Sequence, residues 1–270
     1  MRRRKSPGQA PVRMLALASA WTFAMAMALL SVSGMATAPA AAGAPPDTGF
    51  DPAPGTPAAA GKRFAWEQFD VALILREDLG VDVIQVQRVR FSGGPFRTGF
   101  AEIPVQEGQR IDEVRVGELV DGALVPYARV EPEDFGGQPG TFAARDAGGL
   151  LRMDWAMTPA TDATRTFMLG YHLHGAARTV RMGDYEAAEL SWTVIDEQVT
   201  TAAPVEAASL TVVTPAAWPW VAMKLQTSVF PEATTPTPRN VVMTAGPIAA
   251  GRSWRVTIGV PIRKVGALEP

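Results

Sequence analysis

Residues 254–262 read WRVTIGVPI, and they carry the clearest secondary-structure signal in the chain. Apolar side chains occupy every second position from Trp254 to Ile262, while Arg255 and Thr257 lie between them. Successive side chains of a β-strand point to opposite faces, so this period of two predicts a strand with one face buried against a core.

The same alternation recurs upstream of this strand. It is clear at residues 151–157 and 167–173, and glycine or proline interrupts it at intervals of about eight to twelve residues, as between successive strands. No long window shows the period of about 3.6 residues that is typical of an amphipathic helix. The pattern predicts further strands near residues 66–75, 82–91, 100–105, 114–116, 123–130, 176–182, 188–195, 210–212, 220–229 and 240–246.

This arrangement predicts an all-β domain at residues 63–270. Many short strands in a region of this size are most simply placed in two stacked antiparallel sheets, so we expect an immunoglobulin-like β-sandwich. One strand breaks the pattern, because Ile84 and Val86 share a face with Arg88 and Arg90. We expect a β-bulge in that strand, since an extra residue would shift the alternation by one position.

The composition excludes several classes of function. Apolar residues make up 47% of the chain and charged residues 19%, which is typical of a packed globular protein. The formal net charge is -2 and no stripe of lysine and arginine appears beyond the N-terminus, so we predict no nucleic-acid partner. The chain has no cysteine, which excludes disulfides, thiolate nucleophiles and cysteine-based metal sites.

The N-terminus has the pattern of an export signal. Basic residues at 2–5 precede an uncharged, largely apolar stretch at 14–46 that ends in alanine-rich sequence. Positive charge stays on the cytoplasmic side while the apolar helix enters the bilayer, so the rest of the chain is expected to be extracytoplasmic. We predict a signal peptide or membrane-anchor helix at residues 1–44, and small residues favour cleavage between Ala40 and Ala44.

Two outcomes are open for this segment. If it is cleaved, the domain is secreted or periplasmic. If it is retained, it contacts the membrane as a single helix, because it is long enough to cross about 30 Å of hydrocarbon. Residues 45–62 are rich in alanine, proline and glycine and poor in bulky apolar groups, so we expect a disordered, flexible linker.

Several stretches of the chain resemble one protein family. They read GGPFRTGFAEIP at 93–104, IDEVRV at 111–116, TRTFMLGY at 164–171, ELSW at 189–192 and PVEAASLTV at 204–212. In order and spacing they are similar to the N-terminal extracytoplasmic region of the membrane-protein family known as domain of unknown function 2207.

The resemblance implies a signal segment, an immunoglobulin-like β region outside the membrane, and then membrane helices. The chain ends at Pro270, where the first of those helices would be expected, so we expect either a stand-alone version or a shortened one. The family has no established catalytic residues, so the resemblance implies no reaction and no cofactor.

His172 and His174 are the two histidines of the chain, and they lie two residues apart on a predicted strand. Their side chains therefore share a face and could bind one metal ion, with a carboxylate of another strand as third ligand. The neighbouring sequence does not supply that carboxylate, and the pair Glu77-Asp78 lacks the spacing of a calcium loop. We therefore predict a solvated strand face and a solvated loop, with no bound metal or other cofactor.

Four other residues are candidates for an interaction site. Arg97 follows a glycine-rich turn and could bind a carboxylate or phosphate, although it could equally pair with Glu102 or with loop carbonyls. Trp218 and Trp220 lie two residues apart, and we expect both to be surface aromatics that could stack on a sugar.

The chain lacks the signatures of common hydrolases, since it has no G-x-S-x-G, S-x-x-K or H-E-x-x-H pattern. We predict a non-catalytic module of the cell envelope with a structural or protein-interaction role, and a membrane or envelope protein as its partner. The alternative is an envelope enzyme or a carbohydrate-binding protein. An exposed apolar patch would favour the first hypothesis, and a concave site that combines the tryptophans or the histidines with carboxylates would favour the second.

Overall fold

The computed structural model describes residues 61–219, 223–229, 231–237 and 239–266. The predicted signal or anchor segment at 1–44 and almost all of the predicted linker lie outside the described residues. Within the described ranges, no helix is both long enough and apolar enough to cross a membrane.

The described residues form mostly β-strands and almost no helix, which confirms the predicted all-β class. The strands are β1 (Arg63–Leu75), β2 (Val81–Ser92), β3 (Phe96–Pro104), β4 (Arg110–Val120), β5 (Ala123–Pro126), β6 (Ala128–Arg129), β7 (Thr141–Asp146), β8 (Leu150–Ala160), β9 (Thr164–His174), β10 (Arg178–Met182), β11 (Tyr185–Ile195), β12 (Ala208–Val213), β13 (Lys224–Thr227), β14 (Ala233–Pro236), β15 (Asn240–Ala245) and β16 (Trp254–Lys264). A short helix, α1 (Glu197–Ala202), connects β11 to β12, and a 3-10 turn (Pro132–Asp134) follows β6.

The strands form three sheets in the described part of the chain. The largest has eight strands in the order β14-β15-β12-β1-β2-β9-β4-β5, and the two smaller sheets have the orders β10-β11-β16-β13 and β3-β8-β7-β6. Strand β1 pairs with β12 in parallel, as β6 does with β7. The expectation of two antiparallel sheets is therefore wrong in the number of sheets and for these two pairs, because alternation shows which face of a strand is buried but not which strand lies beside it.

The core lies between the eight-stranded sheet and the smaller sheets, since one hydrophobic cluster contains side chains from all three. Trp155 of β8 and Phe167 of β9 are fully buried, and their ring centroids are 5.7 Å apart. Trp254 of β16 is also fully buried, as its alternation predicts, and its indole nitrogen donates to the Thr227 hydroxyl at 2.9 Å.

The predicted bulge in β2 is wrong. Strand β2 pairs with β9 without a register shift, and the irregularity lies in β1 between Trp66 and Gln68. The alternation fails because Gln85 and Gln87 occupy the core face of β2, where they are 8% and 3% exposed and share a hydrogen bond of 3.1 Å. The Gln87 amide nitrogen donates to Gln85 Oε1, but Gln87 Oε1 is buried without a hydrogen-bond partner, so polar residues stand on the core face where the pattern expects apolar ones.

Sheet register determines the surroundings of the two histidines. Strand β9 lies between β2 and β4, so His172 has Asp82 of β2 opposite it on one side and Asp112 of β4 on the other. The turn from β1 to β2 closes beside them through a bond from the Arg76 amide to the Gly80 carbonyl at 2.9 Å. One turn and three strands therefore place their polar residues at the same end of the sheet.

Candidate functional site

His172, His174 and Asp78 form a cluster where β9 ends beside the β1–β2 turn. Potential ligand atoms of the three side chains all lie within 4.8 Å of one another. The imidazole rings meet edge to face, with centroids 4.2 Å apart. The predicted solvated strand face is wrong for His172, which is only 5% exposed, because the neighbouring strands and the β1–β2 turn surround it.

One ring nitrogen of each histidine is hydrogen-bonded to a carboxylate of a neighbouring strand. Nδ1 of His172 lies 2.7 Å from Asp82 Oδ1, and Nε2 of His174 lies 3.0 Å from Asp112 Oδ2. Arginines balance both carboxylates, since Arg76 pairs with Asp82 at 2.8 Å and Arg110 pairs with Asp112. Carboxylates in this position accept N–H hydrogen bonds, and in the tautomers that donate them the free lone pairs lie on Nε2 of His172 and Nδ1 of His174.

The charges around Asp112 act on its pKa in opposite directions. Burial raises the pKa of this carboxyl, but the hydrogen bonds from His174 and Arg110 and the charges of both groups outweigh burial. The pKa therefore lies below its ordinary value of 3.8, and Asp112 is a carboxylate at neutral pH.

Sequence reasoning missed the carboxylates of this cluster. The sequence predicts a solvated loop at Asp78, and the residue is exposed, but its carboxylate accepts the Gly80 amide at 3.0 Å and so turns towards the histidines. The turn between two predicted strands was a usable signal for Asp78. The positions of Asp82 and Asp112 depend on strand register, which alternation alone does not give.

Glu102 and Arg97 lie on β3 and belong to different surroundings. The Glu102 carboxylate accepts a bond from Arg152 of β8 at 2.9 Å, and Arg152 also pairs with Asp154 at 2.8 Å. The Arg152 guanidinium lies 4.5 Å from the centre of the Phe100 ring. Arg97 is exposed near the start of the strand. Glu102 therefore forms an ion pair that links β3 to the neighbouring strand β8.

The expectation that Trp218 is a surface aromatic is wrong. Its side chain is 6% exposed and belongs to the hydrophobic cluster. Arg239 donates to the carbonyls of Pro215 and Trp218 at 2.9 and 3.4 Å, which folds this loop onto the core. Trp220 lies outside the described residues. Trp218 is therefore not available to stack on a sugar.

A buried ion pair joins β4 to β9. Arg165 donates to Glu118 Oε1 at 2.7 Å, and the Tyr127 hydroxyl donates to Glu118 Oε2 at 2.8 Å. The Glu118 side chain is 7% exposed, so its charge depends on these two partners. Burial, together with the bond to Glu118, raises the pKa of Tyr127, which keeps the hydroxyl protonated. Glu118, Arg165 and Tyr127 therefore form a hydrogen-bonded network with a structural role.

Asp70 is a second buried carboxyl, on β1. It is 5% exposed and accepts bonds from the Ser209 hydroxyl at 2.5 Å and from the Gln68 amide at 3.1 Å, both at Oδ1. Burial raises its pKa above the ordinary value of 3.8, and the two hydrogen bonds only partly offset this. The folded protein therefore binds this proton more tightly than the unfolded chain does.

Replacing Asp70 by asparagine is expected to change how stability depends on pH. In the parent protein, the stabilising proton on Asp70 is fully present below pH 3.8, and its contribution is lost as the pH rises through the raised folded pKa. Asparagine keeps Oδ1 as the acceptor of both bonds, so D70N should lack this decline. Urea unfolding between about pH 3.5 and 7 measures it. Parallel pH curves for the two proteins would contradict the expectation.

The β4–β5 hairpin carries exposed apolar side chains at the edge of the largest sheet. Val120 and Val125 are 42% and 46% exposed, and β5 is the end strand of its sheet. The two-residue loop of Asp121 and Gly122 has φ angles of 50° and 79°, as in a type I′ turn. The hairpin therefore presents two valines on a tightly turned, open edge.

No protein-family model matches the chain, and no curated protein matches it. Solved structures similar to it include yeast LTA4 hydrolase in complex with bestatin, with 10% identity and a TM-score of 0.42 over 72% of this chain and 28% of that chain. Another is the M1 zinc metallopeptidase from Deinococcus radiodurans, with 11% identity and a TM-score of 0.35 over 72% of this chain and 42% of that chain. This chain thus spans less than half the length of either structure. These values give no basis for transferring an activity.

Proposed function

We propose that the chain is an exported, non-catalytic module of the cell envelope that binds another protein through the β4–β5 hairpin. The observation that carries the proposal is the exposure of Val120 and Val125 at an open sheet edge. Edge strands have backbone groups that a further strand can pair with, so an extended segment of a partner would add to β5 and cover both valines.

Export and the finer fold assignment form the sequence-based part of the proposal. The basic and apolar residues of 1–44 support a signal peptide or a membrane anchor. The resemblance to domain of unknown function 2207 supports an extracytoplasmic, immunoglobulin-like β region. A β-sheet core that buries tryptophan and phenylalanine is compatible with that assignment, since such a core needs no disulfide.

Crosslinking in cells tests the proposed surface. A photoreactive amino acid is placed at Val125 of the full chain, and at Glu133 as a matched exposed position in the turn after β6. We expect a discrete adduct in the envelope fraction from position 125 and none from position 133. Replacing Val120 by lysine should abolish that adduct, because a charge on the hairpin opposes an apolar contact. Equal adducts from both positions, or none from 125, would contradict the proposal.

The alternative of an envelope enzyme or carbohydrate-binding protein has one observation in its favour. The histidines converge with carboxylates, as that hypothesis requires. However, Trp218 is buried, and a groove across the β10-β11-β16-β13 sheet is lined by residues such as Val180, Met182 and Lys224 and by neither histidine. We therefore prefer the protein-binding function.

A further inference from the structure

We propose that Asp78, His172 and His174 bind a divalent transition-metal ion of the Zn²⁺ type. The site lies at the end of β4 opposite to the β4–β5 hairpin, so it is separate from the proposed protein-binding surface. The proposal therefore goes beyond the proposed function and does not depend on it.

The three side chains supply suitable ligands. Zinc accepts imidazole nitrogen and carboxylate oxygen, and three protein ligands leave one position for water or another small ligand. The ligand atoms lie within 4.8 Å of one another, whereas bonds of about 2.1 Å in a tetrahedron require separations of about 3.4 Å. Asp78 is exposed and lies on a turn, so its side chain can rotate to bring its carboxylate nearer to the two imidazoles.

The histidines are oriented as metal ligands usually are. In protein metal sites, a ligating histidine donates its other N–H to a carboxylate, which fixes the tautomer and increases the basicity of the ligating nitrogen. Asp82 and Asp112 stand in that position for His172 and His174. Two histidines on a solvated strand face would not each require a carboxylate that is itself paired with an arginine.

Gly80 keeps space open between the ligands. A Cβ atom at this position would lie 2.9 Å from Nε2 of His172 and 3.1 Å from Oδ1 of Asp78. Real Cβ atoms essentially never come within 3.0 Å of another atom, and the contact with Asp78 would also be tighter than most. The backbone of Gly80 does not have the positive φ that demands glycine, so steric space is what favours glycine here.

A metal-free arrangement is the competing interpretation. A protonated His172 would donate from Nδ1 to Asp82 and from Nε2 towards Asp78, which would form a hydrogen-bonded chain of charged groups. That interpretation gives no role to His174, although its ring stands 4.2 Å from that of His172 and has its own carboxylate. Metal binding accounts for both histidines.

Titration of the full chain with metal tests the proposal. Protein freed of metal by a chelator is titrated with Co²⁺, whose visible absorption reports nitrogen ligands and geometry, and Zn²⁺ is then added as competitor. We expect saturable binding of one Co²⁺ per chain and its displacement by Zn²⁺. Because the chain has two histidines, nitrogen ligation beyond the N-terminal amine reports on this cluster.

Four variants make the assignment specific. D82N should weaken Zn²⁺ binding about 10- to 100-fold through the lost orientation of His172, and D78N and G80A should weaken it at least as much. E77Q changes the exposed neighbour of Asp78 in the same turn and should leave binding unchanged. Unfolding midpoints of the metal-free variants show whether each one is folded. If G80A does not fold, D78N still tests the site, because it removes only an exposed carboxylate.

Three results would overturn the proposal. One is the absence of saturable binding by the folded parent protein. Another is binding that D78N and G80A leave as strong as in the parent, which would place the metal elsewhere. The third is an NMR titration that shows a charged His172 at neutral pH together with no uptake of Zn²⁺, which would establish the hydrogen-bonded chain.

Discussion

Replacing Phe167 by alanine is expected to lower the free energy of unfolding by about 4 kcal/mol. The Phe167 ring is fully buried on β9 and faces Trp155 of β8, so it joins the eight-stranded sheet to a smaller one. The substitution removes apolar burial and leaves a cavity that two packed sheets cannot fill by collapse. Urea unfolding of the parent and variant measures the difference.

A matched phenylalanine and a mutant cycle give this expectation its control. Phe100 of β3 is only partly buried, so F100A should cost clearly less than F167A. Combining F167A with W155A should show a coupling of about 0.5 to 1.5 kcal/mol, because the rings touch across the layer. Equal costs for F100A and F167A, with no coupling, would contradict the layered arrangement of the two sheets.

Replacing Arg165 by methionine is expected to lower the free energy of unfolding by about 3 kcal/mol. The substitution keeps much of the apolar stem but leaves the Glu118 carboxylate without its cation at a position only 7% exposed. The Tyr127 hydroxyl remains as a single donor, which is insufficient to offset the desolvation of a buried charge. Urea unfolding at neutral pH measures the loss.

The same pair predicts a partial rescue. Adding E118Q to R165M removes the unpaired charge, so the double variant should be more stable than R165M alone. As a surface control, R178M removes the arginine that pairs with Glu189. The Arg178 side chain is 77% exposed, so this substitution should lower the free energy of unfolding by less than about 1 kcal/mol. If R165M costs no more than R178M, or if E118Q adds a further loss, the buried charge is not the cause.

Local alternation was sufficient to predict the fold class but not the arrangement of the sheets. Trp254 and Phe167 are buried as their strands predict, because the side-chain period depends only on neighbouring residues. Strand β14 was missed since all of Ala233–Pro236 is exposed and has no apolar face to detect. Strand order was beyond reach because pairs such as β1 with β12 join distant segments.

The candidate metal site shows the same division. The sequence predicted that His172 and His174 share a face, which follows from their spacing alone. It did not predict the third ligand or the supporting carboxylates, because Asp78 comes from a turn and Asp82 and Asp112 from the flanking strands. Their convergence requires the register of three strands, and no short window of sequence contains that information.

The parallel pairing of β1 with β12 has a consequence for synthesis. Asp70 and Ser209 are 139 positions apart along the chain, yet they are direct neighbours in the middle of the largest sheet. A polypeptide emerging from the ribosome therefore cannot complete that sheet until most of it has been made, and long-range closure of this kind slows folding. For much of its synthesis the nascent chain lacks the strand that β1 needs as its parallel neighbour.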